Sequence, residues 1–251
     1  MNEFKHKSIA TSLYDTDCID EKFAILEQVV KDAGFDAILY TFIPKLSRLI
    51  NLQPVFRFSN GYAQFIEHYH KNNFSKHDFL LRLLEEGITD PVDWWEKAAL
   101  MDLTEEEKHV NNTARHKFGI TKGLGFPTLG SNLGLAGVSI ISFKKEDENR
   151  QIEPEIINSL HKNSRIYHDH MMVHQDDRYS FILPLLDSLT PKKKIVIKHL
   201  ISGQPMKNIE DQGVTERYGE KLLLELRKSF GDITKNELIY LLGLLNITEY
   251  L

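Results

Sequence analysis

The 251-residue chain is 41% hydrophobic and 27% charged, a composition that excludes intrinsic disorder and allows one large domain, or a larger and a smaller one. Its longest apolar run, Leu133 to Phe143, is broken by Gly and Ser and falls far short of the roughly 20 residues of a spanning helix, so no membrane contact is expected. A single cysteine, Cys18, excludes an internal disulfide and multi-cysteine metal motifs; with no apolar core behind Met1 to serve as a secretory signal, this points to the cytoplasm.

The net charge of −5 is unevenly spread. From Leu189 onward ten Lys or Arg stand against eight Asp or Glu, so that stretch carries +2 and the rest of the chain −7. Lys192, Lys193 and Lys194 are consecutive. A mild basic asymmetry of this kind suits a nucleic-acid contact in the tail.

In chain order, a helix is predicted over 20–33 from the stripe Phe23, Ile25, Leu26, Val29 and Val30, stopped by Gly34. Asp36 to Ile43 reads as a buried strand ended by Pro44, and 55–58 as a second strand. The turn Ser59-Asn60-Gly61 leads into an amphipathic helix carrying Tyr62, Phe65, Ile66, Tyr69 and Phe74. Thr104 and Glu107 form a capping-box pattern opening a helix to about Lys117. Strands follow over 123–129 and 135–143, then a long helix over 153–174. The fold class is therefore α/β: an N-terminal α-β-α sandwich on an antiparallel sheet, over residues 1–175.

A polar break at Gln175-Asp176-Asp177-Arg178 opens a linker over 176–187. Residues 188–251 read as an all-α helix-turn-helix. Thr190 and Pro191 start the first helix, a short helix lies at 206–211, a third runs from Thr215 to Phe230, and Thr234 with Glu237 caps the last. In the third helix Tyr218, Leu222, Leu226 and Phe230, with Leu223, form the expected core stripe. Arg217, Lys221 and Lys228 occupy the opposite face, with Arg227 nearer its edge.

Enzymatic chemistry finds no footing. No Ser nucleophile elbow, phosphate-binding loop or paired catalytic carboxylates stand out, Gly123-Leu-Gly-Phe lacks the context of a dinucleotide fingerprint, and no cofactor is expected. His170 and His174 share a helix face at the spacing of two metal ligands, and His168 is close by; a metal site is a remote alternative to a solvated or dimer-facing helix.

The tail resembles the DNA-binding domain of LuxR-type regulators. Leu189, Thr190, Val196, Ile197, Gly203, Ile209, Val214, Thr215, Glu216 and Phe230-Gly231 stand in register with that domain. The N-terminal part is similar to the sensor domain of the quorum-sensing members, through Phe65, Tyr69, Asp78-Phe79, Trp94 or Trp95, Phe118-Gly119-Ile120, Gly123 and Pro127. Four positions depart from the pattern: Phe65 for Trp, Phe79 for Pro, Lys193 for Glu and Gly219 for Val.

The resemblance implies an acyl-homoserine-lactone-like or related small signal held between sheet and helices by Phe65, Tyr69, Asp78, Phe79, Trp94 and Gly123. Asp78 would accept from a ligand amide, Tyr69 would offer its ring and hydroxyl, and Trp94 and Gly123 would shape the pocket. The other reading of Asp78 is a helix cap. Phe65 has no indole N–H, which implies a less polar head group. The resemblance also implies DNA contacts from Lys192, Lys194, Thr215, Arg217, Lys221 and Lys228. It implies a homodimer as well, with Ile156, Leu160, Ile166 and Tyr167 on the long helix as candidate contacts. An alternative is a sensor with a degraded DNA-binding tail that acts by heterodimerisation.

Overall fold

Near-continuous burial along the central strands sets up a sheet covered on both faces. The computed structural model describes residues 8–44, 54–128, 134–148, 151–174, 177, 189–229 and 233–244. Most of the expected linker 176–187, together with Leu129 and Phe230-Gly231, lies outside the described residues. Two units are distinguished, one built from the elements up to Val173 and one from those after Leu189.

The first unit begins with helices α1 (Ile9–Tyr14) and α2 (Ile19–Asp32) and strands β1 (Ala37–Pro44) and β2 (Val55–Phe58). Helices α3 (Ala63–Lys71) and α4 (Phe79–Glu85), the short strand β3 (Val92–Asp93), and helices α5 (Trp94–Leu100) and α6 (Glu105–Asn112) follow. Strands β4 (Lys122–Pro127) and β5 (Gly134–Ser142) and helix α7 (Pro154–Val173) complete it. The strand order is β2-β1-β5-β4-β3, with β1–β2, β3–β4 and β4–β5 antiparallel. The α/β sandwich on an antiparallel sheet is thus the fold of this unit.

Period-two alternation sorts β1 between two helical layers. Leu39 and Thr41 face a cavity beneath α3–α6, while Tyr40 meets α7 through an edge-on contact with Tyr167 at 5.3 Å and a 2.9 Å hydrogen bond between its hydroxyl and His168 Nδ1. Residues 37–42 are all buried, as a strand covered on both faces requires. Burial pushes the Tyr167 hydroxyl well above its ordinary value, so it stays protonated.

Five details differ from the sequence reading. The helix carrying Tyr62, Phe65 and Tyr69 stops at Lys71, because Asn73 takes a left-handed conformation (φ 53°) and Phe74 starts a separate 3-10 turn. Helices α1, α4 and α5 and strand β3 were not expected. Leu160 and Tyr167 are fully packed inside the unit and cannot serve as a dimer contact; Ile156 and Ile166 are half-buried. His168 and His170 are buried, not solvated. His168 is held by Tyr40, away from the stacked pair His170 and His174, whose ring centroids lie 4.2 Å apart.

The second unit contains α8 (Pro191–Ile201), a 3-10 helix at Met206–Gln212, α9 (Glu216–Ser229) and α10 (Lys235–Leu244). Thr190 caps α8, and Gly213 (φ 75°) supplies the left-handed turn before α9. Val196, Ile197, Leu200, Ile209, Leu222, Leu226 and Leu238 form its core. The expected stripe on α9 shifts: Tyr218 is 40% exposed, while Gly219 is buried in its stead. A Cβ at Gly219 would stand 3.1 Å from Met206 Sδ and 3.4 Å from Ile209, so the glycine admits the 3-10 helix close to α9. Among the described residues, no helix is long and apolar enough to cross a membrane.

Candidate functional site

A cavity of about 60 Å3, several times what one water occupies, lies between the sheet and helices α3–α6. Its walls are mostly Leu, Ile, Val and Phe, with a few convergent polar groups, the usual make-up of a small-molecule site.

The polar centre is Asp78. As the residue before α4 it caps that helix, its Oδ1 accepting from Leu80 N at 2.9 Å. Its Oδ2 accepts from the Tyr69 hydroxyl at 2.7 Å. The cap and pocket readings are therefore compatible: one oxygen serves the helix and the other lines the cavity. Desolvation raises the Asp78 carboxyl above its ordinary value of 3.8, against the lowering effect of the Tyr69 and backbone hydrogen bonds. Burial, with Asp78 alongside, also pushes the Tyr69 and Tyr62 hydroxyls well up.

Trp94 is fixed from three sides. Asp93 caps α5 through Trp95 N and Glu96 N, and its Oδ2 takes Lys122 Nζ at 2.6 Å. Gly123 on β4 leaves room for the indole: a Cβ there would stand 2.3 Å from Trp94 Cδ2. Trp94 is 5% exposed and lines the cavity, whereas Trp95 sends its indole N–H to Thr121 O at 2.9 Å. Gly123 shapes the site through Trp94 and is not itself in the wall.

Helices α4 and α6 are locked together by the capping box. Glu107 accepts from Thr104 N at 2.9 Å and from Arg82 Nε and Nη2 at 2.7 and 3.2 Å. The Arg82 hydrogen bonds hold the Glu107 carboxyl below its ordinary value. Rigid first-turn geometry here sets the spacing of the cavity walls.

Of the residues expected to hold a ligand, Phe65, Tyr69, Asp78 and Trp94 line the cavity. Phe79 does not. It packs with Leu83, Val92 and Leu103, and Leu83 and Val92 stand in the cavity wall in its place. Phe65 is enclosed by Tyr62, Tyr69 and Phe118, with ring centroids 6.4, 5.7 and 5.3 Å away. Sequence reasoning missed Asn111, on the last turn of α6. It lines the cavity, and its Nδ2 has no partner among the described residues.

In the second unit, Lys192, Thr215, Arg217, Lys221 and Lys228 are exposed and Lys194 is half-buried. Lys192 Nζ stands 5.7 Å over the Tyr218 ring and 3.4 Å from Gly213 O. Lys193 and Lys221 each approach Glu225 at 3.9 Å. Arg227 gives its Nε to Ile233 O at 2.7 Å and so belongs to the end of α9, not to its exposed face.

A family profile described as the autoinducer binding domain matches residues 19–164. A crystal structure of Escherichia coli SdiA is similar with a TM-score of 0.55 at 13% identity, covering 94% of each chain. SdiA in complex with octanoyl-rac-glycerol is similar with a TM-score of 0.56 at 13% identity, covering 97% of this chain and 96% of that one. No curated protein matches the chain. At such identity the structural likeness speaks for the fold, and the profile, which spans more than half of the sequence, speaks for the family. The chain belongs to the family of proteins with an autoinducer binding domain.

Proposed function

We propose that this protein is a ligand-responsive transcriptional regulator and not an enzyme. Residues 1–175 form the sensing domain, 176–187 a linker, and 188–251 a DNA-binding helix-turn-helix. The signal is an acyl-homoserine lactone or a related small molecule with an apolar body and a donor for Asp78. The observation that carries this reading is the Asp78 carboxylate, set in an apolar cavity with Tyr69 and the α4 backbone as its donors among the described residues. A buried carboxylate is costly unless donors meet it, and a ligand N–H supplies one more.

In this reading the exposed Lys192, Thr215, Arg217, Lys221 and Lys228, with Lys194, meet the phosphate backbone and base edges. Two copies read a two-fold site. The Lys193 departure is accommodated, since Glu225 lies opposite it. The test is DNA binding of the purified chain to genomic fragments at several salt concentrations. Each neutralised phosphate releases counterions, so affinity should fall steeply as salt rises. Binding to no fragment, or binding insensitive to salt, favours a sensor that acts by pairing with another regulator.

A further inference from the structure

Asp78 is an acceptor, yet the cavity also contains donors that nothing among the described residues satisfies. Trp94 Nε1 and Asn111 Nδ2 are both closed off from solvent and, among the described residues, both without a hydrogen-bond partner. Both residues line the cavity that contains Asp78. They come from different elements: Asp78 precedes α4, Trp94 opens α5 and Asn111 lies in the last turn of α6. Trp95, next in sequence to Trp94, finds Thr121 O for its own indole N–H, so local geometry does not deprive a tryptophan here of a partner. A buried donor left unpaired costs about 1–3 kcal/mol, and a fold tolerates two in one cavity where a ligand supplies the acceptor.

We propose that Trp94 Nε1 and Asn111 Nδ2 form the second polar contact of the site and receive a neutral oxygen acceptor on the ligand head group, remote from the N–H that meets Asp78. The inference rests on the sensor reading above and narrows it. The ligand has a donor and a separate carbonyl-type oxygen, joined to an apolar body. Phe65 then needs no donor of its own, and the polarity of the head group is read from the α5–α6 side. Asn111, whose amide offers two N–H groups, is a specificity-determining residue for this contact.

Two probes separate the roles. N-octanoylhomoserine lactone carries the amide N–H and the ring oxygens, whereas N-cyclopentyloctanamide keeps the amide and acyl chain and lacks the ring oxygens. Calorimetric titration of the full chain is expected to give about 3- to 10-fold tighter binding of the lactone, the range of one or two net hydrogen bonds. In Asn111→Leu, and separately in Trp94→Phe, the ratio of the two affinities should fall towards one. An unchanged ratio in both variants overturns the proposal while leaving the sensor reading intact, as does equal loss of both probes in both variants, which marks a packing effect. Should the wild type bind neither these probes nor octanoyl-rac-glycerol, the sensor reading fails, and this inference with it.

Discussion

The Tyr69 hydroxyl donates to Asp78 Oδ2 across 2.7 Å, joining α3 to the cap of α4 at the edge of the cavity. The eight residues between them build the end of α3 and a 3-10 turn, so a local stretch of chain creates the polar centre of the site. Tyr69→Phe keeps the ring and deletes the donor, leaving one oxygen of a desolvated carboxylate unpaired. The expected cost is about 1–3 kcal/mol in denaturant unfolding, with m unchanged.

Asp78 also predicts a pH dependence. Its folded-state value is raised above the ordinary 3.8. Between the unfolded and folded values the native state binds more protons than the unfolded state, so this group's contribution falls as pH rises through that window. Asp78→Asn retains an oxygen to cap α4 and does not titrate. Its stability relative to wild type should therefore improve as pH rises above about 3.8, and level off once the folded-state carboxyl is ionised. Parallel stability curves of the two proteins across that range would contradict the assignment.

Gly123→Ala tests the seat of Trp94. The new methyl meets the indole at 2.3 Å, inside any tolerable contact, and the indole is held from the other side by the capped start of α5. A loss of about 1–3 kcal/mol is expected, measurable as a fall in Tm. Gly123→Ala should also weaken binding of N-octanoylhomoserine lactone, since Trp94 is part of the cavity wall.

Much of this was legible in the sequence, and the failures have physical reasons. The continuous apolar run of β1 reported a strand covered on both faces, and Thr104 with Glu107 reported a helix start, because both signals are local. Helix α4 escaped because Phe79-Leu80-Leu81-Arg82-Leu83-Leu84 is apolar nearly all round: Leu80, Leu81, Leu83 and Leu84 line the cavity while Phe79 packs in a neighbouring cluster, which erases the helical period. The stripe of α9 was misplaced onto Tyr218 because its true member, Gly219, has no side chain for a pattern to detect. The partner of His168 and the role of Asn111 gave no signal. Their settings depend on Tyr40, 128 residues from His168, and on a cavity assembled from several elements.

Gly219 makes a separate prediction. Relieving glycine's backbone entropy in a helix favours Ala by about 0.5–1 kcal/mol. The nearest obstacle is the end of a flexible thioether, Met206 Sδ at 3.1 Å. Gly219→Ala should raise the Tm, whereas the branched side chain of Gly219→Val meets Ile209 and should lower it. DNA affinity measured alongside shows whether close approach of the 3-10 helix to α9 matters for binding.

Phe65→Trp would restore an indole N–H, yet the ring at this place is already enclosed by three aromatic neighbours. Overpacking should cost about 1–3 kcal/mol. A variant as stable as wild type, with tighter lactone binding, would show that the cavity accepts the larger ring without rearrangement.

The most direct measurement is calorimetric titration of N-octanoylhomoserine lactone into the wild type and into Asp78→Asn, each confirmed folded by its own unfolding curve. If the carboxylate is the anchor for a ligand donor, the wild type binds the lactone and the Asn variant binds it roughly 10-fold more weakly or worse, as expected when a charge-assisted hydrogen bond is lost. Equal affinity for both proteins, or no binding to the wild type of either this lactone or octanoyl-rac-glycerol, would contradict the reading of this cavity as a signal site built on Asp78.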